Sequence, residues 1–339
     1  MARSKERAIF LEQNMHKTDA WTAFWQKGSL TSFGDRFSKG YQGQFRELWR
    51  SFFAALPRGA VIVDLGAGNG ALEEIAEEVA KERHLAFEMH AFDLAARLPA
   101  RYKGKGVESA FALHWHAGVA NEDTGLPPAS VDAITGSFAF EYGDEAATIA
   151  EIARILKPGG RCQFLMHCAG SNILVNAANE LEVLEEELKK DGFLDRVKEF
   201  LVAAGGLKKP GAFDRLRKSG KLEPLRIRIN EAHDAAVRKA TRETSVLLLE
   251  TIMRWVGPLV TLPMILEPKK ILLERLKEVC LELSANKARL LDMQRAEVDE
   301  DRMQRILGLF REAGMQPAAA HYFVDDSEVP VGWLVTTSR

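Results

Sequence analysis

One short stretch constrains this chain more than any other. Val61-Ile-Val-Asp-Leu65 is a largely apolar, β-branched run, and it passes without a linker into Gly66-Ala-Gly68-Asn-Gly70. A helical pattern starts at once, with Leu72, Ile75, Ala76 and Val79 at three- and four-residue spacings. A buried strand that turns through glycines into a helix is a βα unit with an open elbow. Glycine lets the backbone bend tightly and lets a ligand approach where a Cβ would stand. The helix beyond presents N–H groups that have no partner inside it.

The surrounding residues repeat that unit. Strands are predicted at Ala60–Leu65, Phe87–Asp93, Ala110–His116, Ala133–Phe138 and Arg161–His167. A helix over Ala146–Leu156 carries Ile149, Ile152, Ala153 and Leu156 on one face, and Lys157-Pro-Gly-Gly160 reads as its stop. From 168 to 300 the pattern changes to long charged helices, with Ile173, Ala177, Leu181, Leu184 and Leu188 on one stripe and Leu272, Leu276, Val279 and Leu283 on another. The α/β pattern then resumes with a helix around Ile306, Leu307 and Phe310. Two β-rich runs, Ala319–Val324 and Val331–Thr337, follow as a hairpin around Asp325-Asp-Ser-Glu328. Four stretches result: an N-terminal helical cap over 1–56, an α/β core over 57–170, a helical insertion over 171–300, and a completing helix and hairpin over 301–339.

The glycine pattern is G-x-G-x-G, without the G-x-G-x-x-G spacing of nicotinamide dehydrogenases. Asp64 stands two residues before it, where a carboxylate would repel a pyrophosphate but attract an ammonium group. Asp93 ends the second strand, placed to accept from ribose hydroxyls. With these features Ile62–Gly70 resembles the first motif of the class I S-adenosylmethionine-dependent methyltransferases, near the UbiE-like small-molecule branch. His90-Ala-Phe-Asp93 resembles the family's ribose-binding acidic end. Leu126-Pro127 with Ser130-Val-Asp-Ala-Ile134 is similar to the stretch entering its fourth strand, and Arg154–Arg161 to the motif before its fifth. The resemblance implies a Rossmann-like, seven-stranded, mostly parallel sheet with an antiparallel last strand. It also implies S-adenosyl-L-methionine as cofactor and S-adenosyl-L-homocysteine as product.

For the cofactor it implies Asp64, Gly66, Ala67, Gly68, Gly70, Asp93, Leu94, Gly118, Val119, Ser137 and Phe138. Members often carry an acidic side chain for the adenine amine after the third strand; here that place holds Gly118-Val119-Ala120, with Asn121 and Asp123 as substitutes. Glu141 and Tyr142 leave the fourth strand and His167 ends the fifth, all at the edge where open α/β sheets bind ligands. They are the candidates for catalysis: a base is needed for a hydroxyl or an acidic carbon, whereas an amine or thiol needs only positioning. Glu141 reads equally as a structural acceptor, and His167 also reads as a satisfied polar residue orienting the loop Cys168-Ala-Gly-Ser-Asn172. Trp25, Phe33 and Tyr41, beside the breaks Gly28–Gly34 and Lys39–Gly43, are candidates for lining the substrate pocket under an N-terminal lid.

The formal net charge of −2 gives no general attraction to nucleic acid or an anionic membrane. Lys208–Arg228 is locally basic, with eight Lys and Arg residues against Asp214 and Glu223; its default reading is a solvated face. Cys162, Cys168 and Cys280 match neither a disulfide framework nor a zinc cluster, and a reducing, cytoplasmic setting is expected. His16, His114, His116, His233 and His321 show no ligand spacing, so no metal is expected. The longest apolar run of the C-terminal half, Trp255–Leu266, holds two prolines and is too short to span a bilayer. It reads as a lid tip. The expected partner is a small molecule with apolar bulk, and the insertion is a candidate dimer surface. Alternatives are an RNA or protein methyltransferase and a non-catalytic cofactor-binding scaffold.

Overall fold

The computed structural model describes residues 17–33, 39–96, 99, 111–204, 211–260, 267–325 and 329–339. The chain groups into two compact units. One comprises Trp21–Val175 with Asp292–Arg339, the other Met1–Ala20 with Asn176–Leu291.

The first unit is built on a seven-stranded sheet of order β3-β2-β1-β4-β5-β7-β6. Its strands are β1 (Val61–Leu65), β2 (Phe87–Asp93), β3 (Phe111–Ala117), β4 (Val131–Ser137), β5 (Leu156–His167), β6 (Ala319–Val324) and β7 (Pro330–Ser338). The first five run parallel, and β7 lies antiparallel to both β5 and β6. This is the Rossmann-like sheet with an antiparallel final strand. β1 and β4 sit centrally and are buried on both faces, which is why β1 reads as a nearly continuous apolar run.

Helices α1 (Lys17–Trp25) and α2 (Gly43–Ala54) precede the sheet; α3 (Ala71–Arg83) and α4 (Glu145–Ile155) connect its strands. Against one face, Trp49 and Phe53 of α2 and Leu72, Ile75 and Val79 of α3 form a single cluster with Ile62 and Met89. Against the other, Ile149 and Ile152 of α4 pack with Phe140, Phe164 and Phe310. Each such fully buried side chain contributes roughly 1.5–3 kcal/mol of transfer free energy. Phe310 belongs to α11 (Glu300–Glu312), which begins where the Asp299 side chain accepts from Arg302 N.

The sheet departs from the predicted limits at one place. Lys157–Gly160, expected as a turn, lies inside β5, and β4 starts at Val131, two residues early. Val131 pairs with Leu156 across a bulge, and Gly159 N and Gly160 O exchange hydrogen bonds with Arg339. The chain's C-terminal residue thus gives the Pro-Gly segment the backbone partners that a free turn would find in water.

The second unit is helical: α5 (Asn172–Leu188), α6 (Phe193–Ala204), α7 (Ala212–Lys218), α8 (Glu223–Val237), α9 (Glu243–Val260) and α10 (Lys269–Arg295). The unit boundaries fall within α1, α5 and α10. Asn179 is its polar node. Its Oδ1 accepts from Thr241 N, Arg242 N and the Ser245 hydroxyl, and its Nδ2 donates to Lys239 O. In the basic stretch Arg217 pairs with Asp214, Arg226 with Glu223 and Arg228 with Glu199. Lys208 and Lys209 lie outside the described residues, as do 261–266 of the expected lid tip, Gly34 and Phe37, His16, and 326–328 of the hairpin loop. No helix among the described residues is long and apolar enough to cross a membrane.

Candidate active site

The carboxyl ends of β1 and β4 meet at a narrow cleft. It is lined by Asp64, Gly66 and Ala67 from the elbow after β1, Ala71 and Leu72 from α3, and Ser137 and Phe138 from β4. The N-terminal segment closes it with Trp21, Trp25, Leu30, Thr31, Ser32 and Tyr41. Of the substrate candidates, Trp25 and Tyr41 therefore line the cleft directly. Phe33 stacks edge-on to Phe138 at 4.5 Å.

The elbow needs its glycines. Gly66 sits at φ +70°, and a Cβ there would come within 2.3 Å of the Ala139 Cβ. At Gly68, φ +57°, a Cβ would lie 2.7 Å from the Trp25 ring. Gly70, at φ +89°, starts α3. Asn69 ties the segment above to this loop, donating to Trp25 O and Ser29 O, both at 2.8 Å. Phe138 also holds a left-handed φ of +54°, uncommon for a side chain of its size. It is fixed by its N–H on Leu165 O at 2.6 Å. Such strain concentrates at functional sites. It turns the chain out of β4 toward the cleft.

Asp64 is buried, and its Oδ1 accepts from the Thr135 hydroxyl at 2.8 Å. Burial pushes its carboxyl up to about 7, with Asp93 adding to the shift against the Thr135 hydrogen bond. Glu73, fully buried on α3, faces the same carboxyl, and burial followed by the Asp64 charge drives it well above the carboxylate range. Neither Glu73 oxygen makes a well-formed hydrogen bond among the described residues. Two carboxyl groups with no cation between them are costly here. An ammonium group would relieve both.

Asp93 accepts from Gly68 N through one oxygen and from Ala95 N through the other, each at 2.7 Å. Burial raises its carboxyl, and those two N–H groups oppose the shift. A carboxylate oxygen has a second lone pair, so hydroxyl donors can still be accepted. Gly118 N and Val119 N both donate to Asp93 O, which brings the end of β3 beside the end of β2. Leu94, 46% exposed, offers an apolar surface next to them.

His167 is fully buried, its Nε2 3.0 Å from the Tyr142 hydroxyl and its ring 4.8 Å from that of Phe138. Its N–H donates to Glu141 Oε1 at 2.7 Å, and its carbonyl accepts from Val298 N. Glu141 is buried, which pushes its carboxyl up to about 7 against the His167 N–H bond. Arg302 donates to Glu141 O and pairs with Glu145, pinning the turn behind the cleft. Glu141, Tyr142 and His167 thus form one connected group, in which His167 and Tyr142 carry the hydrogen-bonding ring atoms and Glu141 clamps the end of β5. Tyr41 donates to or accepts from the Ser137 hydroxyl at 2.8 Å, and burial raises its phenol.

Sequence reasoning missed Glu73, Thr135, Trp21 and Thr31. Glu73 carried a signal: it shares the buried stripe of Ala76 and Ala80, where a charge needs a reason.

Residues 62–160 match the family model of a methyltransferase domain. None of the curated proteins compared matches the chain. Among solved structures it is similar to the YcgJ protein of Bacillus subtilis, with 22% identity, covering 41% of this chain and 58% of that one, at a TM-score of 0.32. It is similar to a geranyl diphosphate methyltransferase solved with geranyl diphosphate and sinefungin, with 19% identity, 40% and 51% coverage and a TM-score of 0.32. The [4+2]-cyclase SpnF matches at 19% identity, 46% and 60% coverage and a TM-score of 0.33. The chain spans 51–60% of the length of these three structures. Residues 62–160, within the α/β unit, thus match a methyltransferase domain, and S-adenosylmethionine is the cofactor that this match supports.

Proposed function

We propose that the protein transfers a methyl group from S-adenosylmethionine to a small molecule with apolar bulk. The observation that carries this reading is the buried Asp64–Glu73 carboxyl pair beside an elbow that tolerates no Cβ at Gly66. The site has the donors and acceptors that cofactor requires. Asp64 and Glu73 would hold its ammonium group, Asp93 its ribose hydroxyls, and Leu94 and Val119 its adenine ring. The cofactor supplies an electrophilic methyl group on a sulfonium. The chain's contribution is to orient the acceptor and exclude water, for which the rings of Trp21, Trp25, Tyr41 and Phe138 form the wall. For an acceptor that must lose a proton, the Tyr142 hydroxyl would take it while passing its own proton to His167 Nε2.

Calorimetric titration of the purified chain with S-adenosylmethionine, S-adenosylhomocysteine and NADH tests the reading. Micromolar binding of the two sulfur nucleotides and none of NADH is expected. A well-folded sample that binds neither sulfur nucleotide would overturn it.

A further inference from the structure

At the open edge of the sheet, away from the cleft, β2 and β3 set three imidazoles and a carboxylate on one face. The two strands pair in parallel with His90 opposite His114 and Phe92 opposite His116, so Glu88, His90, His114 and His116 all project to the same side. The Glu88 Oε1 atom lies 3.3 Å from His90 Nε2 and 3.4 Å from His114 Nε2. One ligand atom from each of these three residues lies within 4.8 Å of the others. Tetrahedral zinc, with bonds of about 2.0–2.2 Å, separates neighbouring ligand atoms by about 3.3–3.5 Å. Two of the three edges already have that length, and the third closes by a tilt of the exposed His114 ring.

The remaining histidine completes the arrangement. His116 Nε2 lies 3.1 Å from His90 Nδ1, and its ring stacks on Phe92 at 4.3 Å. A histidine that binds metal through Nε2 commonly engages its Nδ1 in a hydrogen bond, which fixes the ring and the free lone pair.

We propose that Glu88, His90 and His114 bind a divalent transition-metal ion of the zinc type, with His116 orienting His90 and a fourth position open to solvent. His114 and the Glu88 side chain are 44% and 48% exposed, so the ion has a path in. The ligands come from two strands, each contributing alternate residues, so the grouping is invisible along the chain. Such an ion would staple the edge strand β3 to β2, whose ends carry Gly118, Val119 and Asp93.

The test uses the full-length chain treated with a chelator and then titrated with zinc or cobalt(II) ions alone. One equivalent is expected to bind and raise the melting temperature, because the ion binds the folded state. Cobalt should give the visible spectrum of a tetrahedral nitrogen–oxygen site without a thiolate charge-transfer band. His114→Ala, an exposed position, should abolish stoichiometric binding; His116→Asn should weaken it about 10–100-fold; and His321→Ala should leave it unchanged. No zinc binding by the wild-type chain, undiminished binding by a folded His114→Ala variant, or a thiolate band would each overturn the proposal.

Discussion

Two buried polar clusters, one in each unit of this molecule, are satisfied in opposite ways. In the helical unit Asn179 and Ser245 are buried, and each polar atom of the Asn179 side chain is spent on a backbone or hydroxyl partner. In the α/β unit Asp64, Glu73 and Asp93 are buried within one site, where the partner facing Glu73 is another carboxyl, that of Asp64. A satisfied node stabilises the helices that meet there. A crowded set of carboxyls destabilises the empty protein and reserves that free energy for a cationic ligand. The exposed apolar side chains divide the other way: Val202, Ile227, Val246, Leu247, Met253 and Trp255 belong to the helical unit, whereas the α/β unit shows Leu94, Tyr322 and Val324.

Four substitutions or conditions press on that contrast. His167→Asn is expected to slow turnover by about 10²–10⁴-fold with cofactor affinity unchanged. An acceptor screen with both proteins checks it, Tyr142→Phe serving as the milder variant if His167→Asn folds poorly, and equal turnover would remove His167 from the reaction. Asp64→Ala should weaken cofactor binding by roughly a hundredfold, the loss of a charge-assisted contact of about 2–3 kcal/mol. Calorimetry reads this, and undiminished affinity would sink the assignment of the elbow.

Asn179→Ala probes the other unit. It leaves several buried donors without a partner and should cost roughly 2–3 kcal/mol in denaturant melts while sparing cofactor affinity. A neutral result would dissolve the contrast between the two kinds of burial.

The smallest effect is a pH dependence of opposite signs. Burial raises Asp64 from the unfolded range near 3.8 to about 7, so the folded protein holds that proton more tightly. The share of stability that the empty protein owes to Asp64 should therefore fall as pH rises from about 4 to about 7. Cofactor affinity should rise over the upper part of that window, by at most about tenfold per pH unit, since the ammonium needs the carboxylate. Melting curves and titrations between pH 6 and 8 separate the two trends, and parallel trends would contradict the raised carboxyl.

The sheet and the cofactor family were legible because β1 is a short apolar run that passes directly into glycines and β2 ends in an acid. The elbow at Gly66–Gly70 states its geometry in its own composition. The lower edge of β5 was not legible, because Lys157–Gly160 becomes strand only through pairing with Arg339, at the far end of the chain. The Glu88–His90–His114 grouping was hidden for the same reason: each strand shows two polar residues at alternate positions, and only the β2–β3 register joins them. Periodicity shows where the insertion is helical. It carries no comparable signal for what those helices serve.

Trp25 has a kinetic consequence. Its indole fills the space that a side chain at Gly68 would take, and Asn69 holds its backbone in place from the opposite side. A molecule laid along the elbow must first evict the chain's own indole. Arrival is then a two-stage event, and its observed rate climbs with concentration only until release of the N-terminal segment becomes limiting. Stopped-flow tryptophan emission would display that ceiling directly, with the gatekeeper acting as its own reporter.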